Sequence, residues 1–261
     1  MPGINDSKCV LVVGATSGIG KSLALAILAL ASRPTVIIAG RRQDRLDDII
    51  SAHGNAGRLE GIQMDVDTDR AALKKIVEDV LAKHPKLDTI IFSAGIQRRF
   101  EFTSPESVDL DHLASELNTN YTAIVTMITY FLPHLIKLAA GGQPCFIVPI
   151  TSGLAMIPPP WVPNYGATKA ALHSFSVSLS VQLTDTDVHI MEIFPPLVES
   201  EIHDQQGTTE KLSKIWMSLA EFTREAMEGL ARGDMQIPVG RSKESFERFE
   251  KGKMEIVNML R

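Results

Sequence analysis

The sequence predicts an α/β fold in one domain spanning residues 1–261: a doubly wound parallel sheet of about seven strands with helices on its faces. Three observations predict it. Short apolar runs alternate with longer segments of helical period along most of the chain. The short runs are almost continuously Val, Ile, Leu and Phe, as expected of parallel strands buried on both faces. A glycine-rich turn follows the first of them.

Cys9–Val13 is the first strand, and the helical period of Gly18–Ser32 follows its turn. Thr35–Ala39 with Arg45–Ala52, and Leu59–Met64 with Thr68–Lys83, repeat the strand–helix unit. Thr89–Phe92 leads to a long helical segment, Asp109–Leu138, and Phe146–Ile150 leads to Asn164–Leu183. Val188–Phe194 is the sixth strand and Met235–Val239 a short last one. Two segments break the rhythm. Ile157–Pro163 holds four of the 14 prolines and must be a stiff connection into the next helix. From Pro195 to about Ser213 a polar stretch follows a strand end, where open parallel sheets bind ligands. A substrate-covering segment is expected near residues 195–230. No repeat, low-complexity tract or long linker divides the chain.

Composition narrows the partners. The 26 basic and 31 acidic residues leave a net charge of −5, without the basic stripe that nucleic acid requires. No stretch reaches the roughly 18 uninterrupted apolar residues of a membrane span. Leu23–Ala31 is too short, and Ala123–Ala140 carries Pro133, His134 and Lys137. The first eight residues are polar and lack the order of a secretory signal. Cys9 and Cys145 both lie in apolar runs and read as reduced core residues of a cytoplasmic protein. The histidines show no metal-ligand spacing, so no metal is expected.

Gly14-Ala-Thr-Ser-Gly18-Ile-Gly20 opens the first helix. Gly14 permits a tight turn, Gly18 lets backbone approach a pyrophosphate, and Gly20 allows close helix–sheet packing. The helix N-terminus then offers N–H groups to phosphates. A dinucleotide site follows from that context. An NAD site wants an acidic residue after the second strand, where this chain has Gly40-Arg41-Arg42. Gly40 leaves room and the arginines suit a 2′-phosphate, so NADP(H) is favoured over NAD(H). Asp65 is placed either to accept from an adenine amino group or to cap the helix near Thr68. Gly95, closing Ser93-Ala94-Gly95, permits close approach of a cofactor.

Tyr165 and Lys169 lie four apart and share one helix face. An adjacent ammonium favours the phenolate and lowers a tyrosine pKa, which suits proton transfer. Ser152 adds a hydroxyl at the end of the fifth strand.

Together these motifs resemble the short-chain dehydrogenase/reductase family over essentially the whole chain. The glycine loop matches the family's Thr-Gly-x-x-x-Gly-x-Gly pattern, with Val13 in place of the threonine. Ser152 precedes Tyr165 by thirteen residues, Asn120 falls at the family's fourth catalytic position, and Pro195-Pro-Leu-Val-Glu-Ser200 is similar to its Pro-Gly-x-Val-x-Thr motif. Tyr165-x-x-x-Lys169, Pro195-Pro-Leu-Val198 and Ile237-Pro-Val-Gly240 are similar to the DltE-like branch of oxidoreductases. Phe92-Ser-Ala-Gly95 replaces the usual Asn-Asn-Ala-Gly, and Pro196 the usual glycine; neither change removes a proton-transfer group.

The resemblance implies a Rossmann-type sheet of order 3-2-1-4-5-6-7 and hydride transfer to or from a nicotinamide. Tyr165 would be the general acid/base, Lys169 would hold the nicotinamide ribose and depress the Tyr165 pKa, Ser152 would bind the substrate oxygen, and Asn120 would anchor a proton-relay water. Gly14, Thr16, Ser17, Gly18 and Ile19 would bind cofactor from the loop, and Arg41 and Arg42 from the second strand. Asp65, Val66, Ser93, Ala94 and Gly95 would bind it from the next two strands. Tyr165, Lys169, Pro195 and Val198 would complete the cofactor contacts. In that strand order Cys9 and Cys145 are two spacings apart, about 9.6 Å, beyond the roughly 7 Å reach of a disulfide.

Ile96, Leu154, Met156 and Trp161, with Ile157 and Val162, are expected to line an apolar pocket for a small hydrophobic ketone or secondary alcohol. Arg98 and Arg99 read as a solvated loop pair. Ala123–Leu138 has more apolar surface than one sheet face covers, which predicts self-association. The family's equivalent helix packs between subunits, implying a homodimer or homotetramer. Two other classes stay open: a catalytically silent NADP(H)-binding sensor or scaffold on this fold, and a serine hydrolase, which would lack the usual Gly-x-Ser-x-Gly elbow.

Overall fold

Parallel strands need crossovers, and the chain provides a helix for each. The computed structural model describes residues 1–54, 57–207 and 209–260. Residue 208, within the expected covering segment, lies outside the described residues. The elements follow as β1 (Cys9–Val13), α1 (Gly18–Leu28), β2 (Thr35–Gly40), α2 (Gln43–His53), β3 (Leu59–Gln63), α3 (Arg70–Lys83) and β4 (Thr89–Phe92). Next come α4 (Leu110–Leu117), α5 (Ala123–Ala140), β5 (Cys145–Pro149), α6 (Pro163–Gln182), β6 (Val188–Ile190) and β7 (Glu192–Phe194). The chain closes with α7 (Thr209–Leu212), α8 (Leu219–Arg232), β8 (Gln236–Pro238), α9 (Ser242–Phe249) and α10 (Lys253–Asn258).

Six strands form a parallel sheet of order β3-β2-β1-β4-β5-β6, and β7 pairs in parallel with β8. The single sixth strand expected over Val188–Phe194 is therefore broken at Met191. The cause lies across the ladder. Cys145 N–H donates to Asp187 O and Thr151 N–H to Ile193 O, so on this ladder's two-residue step the N–H due to reach Met191 O belongs to the residue two before Thr151. That residue is Pro149, which has no N–H to donate. The ladder misses one rung and resumes as the Ile150–Ile193 bridge, keeping β7 and β8 alongside the main sheet.

Alternate residues of each strand feed opposite cores. Leu11, Ile37, Ile90 and Ile147 meet α3, α5 and α6 through Leu73, Val77, Met127, Phe131 and Leu172. Val10, Val12, Ile38 and Val148 meet α1, α2 and α8 through Leu23, Ile27, Leu46, Phe222 and Leu230. Helix α8 was not expected from the sequence, although Ser218 caps it through Glu221 N–H. It belongs to this second core, so the latter part of residues 195–230 supports the sheet instead of covering a substrate.

The expected single helix over Asp109–Leu138 is interrupted. Asp109 caps α4 through His112 N–H, and a π turn over Asn118–Thr122 joins α4 to α5. The run Leu110–Ala140 is long and apolar enough to cross a membrane by length and composition alone. The inner face of its α5 part, however, packs into the first core. Cys9 and Cys145 are free and buried, on strands separated by β4. Burial pushes both thiols up to about 12.

Candidate active site

The carboxyl ends of β1, β2, β4 and β5 open onto one edge, and the predicted site residues gather there. Gly14 has a φ of +87°, and a Cβ on it would lie 2.4 Å from Ala94 N. A Cβ on Gly20 would lie 2.2 Å from Gly14 O. Both glycines are therefore needed for close packing, Gly14 also for its left-handed backbone. Gly14 and Ala15 donate to Ala39 O at 2.8 and 2.9 Å, tying the loop to β2. Ser17 is the N-cap of α1, yet its side chain makes no capping bond, leaving the helix end able to meet an anion. The loop fits the phosphates of a dinucleotide.

Gly40 does not leave open space. A Cβ there would lie 2.6 Å from Thr16 Cγ2, so the glycine instead admits the Thr16 side chain. Arg42, the N-cap of α2, turns back over the loop and donates to Thr16 Oγ1 and Ser17 Oγ at 2.7 and 2.8 Å. Its third arm meets Glu201 Oε2 at 2.7 Å. Arg41 is exposed, its carbonyl accepting from Gln63. Asp65 does not cap α3: its Oδ1 accepts from Asp67 N–H, and Asp69 caps the helix through Ala72 N–H. Val66 is buried in the core.

Gly95 marks the meeting point of the chemical groups. A Cβ there would lie 3.4 Å from Asn120 Oδ1 and 3.6 Å from Lys169 Nζ. Asn120 is buried in the π turn; its amide donates to Ile96 O at 2.8 Å and Thr168 Oγ1 at 3.1 Å, while its Oδ1 accepts from Ile96 N–H at 2.9 Å. Such turns often occur at functional sites. Lys169 Nζ donates to Ile150 O at 2.8 Å and lies 5.7 Å from the Tyr165 ring centre. Ser152 accepts from Leu154 N–H at 3.1 Å and is hydrogen-bonded to Tyr165. Gly153 N–H donates to Pro195 O, bringing the segment after β7 to the same edge. Val198 is buried in the second core.

The electrostatics differ from the sequence expectation. Burial pushes the Tyr165 hydroxyl up to about 12, opposed by the Ser152 bond and reinforced by Glu116. Burial brings the Lys169 ammonium down to about 8, against the pull of Glu192 and Glu116. Desolvation thus outweighs the Ser152 bond at Tyr165. At neutral pH the pair holds a protonated phenol beside a protonated amine.

Two buried groups escaped the sequence reading. Glu116 is fully buried on α4, one turn before Asn120, and accepts from Asn164 Nδ2 at 3.3 Å. His173, one turn beyond Lys169, is held between carboxylates: Nδ1 lies 3.0 Å from Glu192 and Nε2 3.0 Å from Glu250. Thr151 Oγ1 donates to Glu192 at 2.7 Å, linking this cluster to the residue beside Ser152. Neither group belongs to a spacing motif that could have announced it.

The apolar pocket is only partly assembled. Ile96, Leu154 and Met156 are half-buried beside Asn120 and Ser152. Val162 packs inside, whereas Ile157 and Trp161 are 46% and 57% exposed. Trp161 instead borders a shallow cavity with Arg99, Phe100 and Glu101. The proline-rich connection holds it there, because Pro159 packs where a Gly166 side chain would be. Arg98 is tied to His112 O, so the arginine pair is not wholly solvated.

Residues 8–211 match the sequence model of the short chain dehydrogenase family. The chain belongs to that family. Its members' shared chemistry makes it an oxidoreductase that uses a nicotinamide cofactor and acts on CH–OH groups. It is 36% identical over 232 residues to the uncharacterized oxidoreductase DltE of Bacillus subtilis, covering 88% of this chain and 87% of that one. That similarity agrees with the DltE-like motifs. The fold matches a short chain dehydrogenase/reductase from Burkholderia phymatum solved with NAD, at TM-score 0.81 and 18% identity, over 98% of this chain and 96% of that one. It also matches a short chain dehydrogenase from Burkholderia cenocepacia solved with NADP, at TM-score 0.77 and 18% identity, over 98% of each chain.

Proposed function

We propose that this family member is an NADP(H)-dependent oxidoreductase interconverting a small hydrophobic ketone and its secondary alcohol, with Tyr165 as general acid/base. The observation that carries the reading is one chain of neighbours: Asn120 and Lys169 meet at Gly95, Lys169 Nζ lies 5.7 Å from the Tyr165 ring centre, and Ser152 bonds Tyr165. The nicotinamide cofactor supplies or accepts the hydride when bound. The glycine loop, Arg42 and Lys169 are the residues to hold it.

In reduction, Tyr165 donates its hydroxyl proton to the developing alkoxide oxygen, and its neutral form at physiological pH suits that direction. Ser152 donates to the same oxygen and orients it. Lys169 keeps a positive charge beside the phenol, so the phenolate left after transfer is stabilised. Asn120 holds the Ile96 backbone and the Thr168 hydroxyl, which fixes the wall against which Lys169 sits. Ile96, Leu154 and Met156 exclude water from this centre and favour an apolar substrate.

Fluorescence titration with NADPH and NADH tests the cofactor reading, with tighter NADPH binding expected. Tyr165→Phe is expected to lower kcat/KM on an accepted ketone about 10²- to 10⁴-fold while retaining cofactor affinity. Unchanged turnover would overturn the role of Tyr165, whereas cofactor binding with no turnover of any ketone would support a silent sensor or scaffold. We further infer a cytoplasmic homo-oligomer, supported by the reduced buried cysteines and by exposed apolar side chains on α4 and α5.

A further inference from the structure

The arginines after β2 already hold an anion from this chain. Glu201 opens a short 3-10 turn, Glu201–Gln206, in the segment after β7. Its Oε2 lies 2.7 Å from Arg42 Nη1 and its Oε1 lies 3.2 Å from Arg45 Nη1. Arg42 is meanwhile bonded through Nε and Nη2 to Thr16 and through Nη2 to Ser17, both in the glycine loop. Glu201 is therefore tied over the rim of the dinucleotide site by residues separated from it by more than 150 positions. The preceding residue completes the crossing: Ser200 Cβ lies 3.4 Å from where a Gly18 Cβ would be.

A carboxylate and a phosphate monoester make the same demand on an arginine pair, since both offer paired anionic oxygens to guanidinium N–H donors. A ribose 2′-phosphate can engage Arg42 and Arg45 only as Glu201 gives them up. A 2′-hydroxyl makes no such demand, because it carries no charge to compete with. We propose that Glu201 is a specificity-determining residue that competes with the 2′-phosphate for Arg42 and Arg45, holding down affinity for NADP(H) relative to NAD(H). This rests on the dinucleotide reading of the glycine loop. It also makes the segment after β7 part of cofactor choice, since the carboxylate must swing off the loop before the phosphate settles. Glu201 is charged throughout the neutral range, because the Arg42 bond holds its carboxyl below the usual range.

Both side chains are about 40% exposed, which limits the competition to that of partly solvated ion pairs. Such pairs correspond to about two- to five-fold each in an equilibrium constant. Dissociation constants for NADPH and NADH should be measured by fluorescence titration on wild type, Glu201→Gln, Arg42→Ala and the double variant. Glu201→Gln is expected to tighten NADPH about five-fold and to change NADH less than about two-fold. In the Arg42→Ala background the Glu201→Gln gain should shrink, since the competition acts mainly through that arginine. An equal shift for both cofactors, an unchanged ratio, or a full gain without Arg42 would overturn the proposal while leaving the dinucleotide site standing. If wild type and all variants fail to bind either cofactor while melting cooperatively, the dinucleotide reading is overturned and this assignment with it.

Discussion

Glu116 shows how one buried carboxyl can bear on several neighbours. It receives N–H donation from Arg98 backbone and Asn164, while its Oε2 has no partner among the described residues. Burial pushes it up to about 7 from an ordinary value of 4.5. A carboxyl raised in the folded state contributes stability that is complete below pH 4.5 and is lost as pH rises through about 7. Glu116→Gln should therefore stabilise the protein more at pH 8 than at pH 5, by a difference of about 1–3 kcal/mol. Thermal melts of both proteins at the two pH values check this; an equal gain at both would mean that the carboxyl does not titrate there. Because the Glu116 charge also lifts Tyr165 and favours charged Lys169, the same variant should lower the Tyr165 pKa and move the pH profile of turnover with it.

At the scale of elements, α6 carries both the proposed chemistry and its support. Tyr165 and Lys169 occupy its first turns, and His173 continues the same face one turn later. His173 joins α6 to β7 through Glu192 and to the segment after α9 through Glu250, which Lys253 on α10 also bonds at 2.6 Å. Burial opposes the His173 charge, but Glu192 and Glu250 together raise it above its ordinary value. The stability from that charge is complete below pH 6.5 and is lost as pH rises through the elevated value. His173→Leu leaves the buried Glu192 without its cation and Glu250 with Lys253 alone, and should cost about 3–5 kcal/mol. Urea denaturation should show that cost shrinking as pH rises and wild-type His173 loses its own proton. A constant cost across pH would indicate that packing against Phe194, 5.2 Å between ring centres, is the whole contribution.

For the whole molecule, the question is which surfaces the two cores leave uncovered. Helix α5 buries one side in the first core, but Leu110 and Leu117 on α4 and Ile136 on α5 stay 71%, 42% and 39% exposed. Phe249, Ile256, Met259 and Leu260 form further exposed apolar positions around α9 and α10. Apolar area of this kind favours burial against another copy. Light scattering should give a mass that is a multiple of the 28.6 kDa chain, and the Leu117→Lys/Ile136→Lys pair should reduce it. A wild-type mass equal to one chain would sink the oligomer reading.

The strands, the glycine loop and the Tyr165–Lys169 spacing were legible because each is a local pattern. A continuous apolar run buries a strand on both faces, glycine permits one backbone turn, and a four-residue interval places two side chains on one helix face. The missing rung at Pro149 was also written locally, but its effect required knowing that the Met191 carbonyl lies across from its nitrogen. Tertiary structure alone decided the charge states and partners. Tyr165 is driven up because the fold desolvates it, and Lys169 is driven down for the same reason. Arg42 meets Glu201 across 159 positions, and His173 meets Glu250 across 77. Trp161 turns outward because the proline-rich connection packs on α6 through Pro159. Sequence period determines which residues are buried along an element, whereas desolvation and pairing depend on which distant elements close over them.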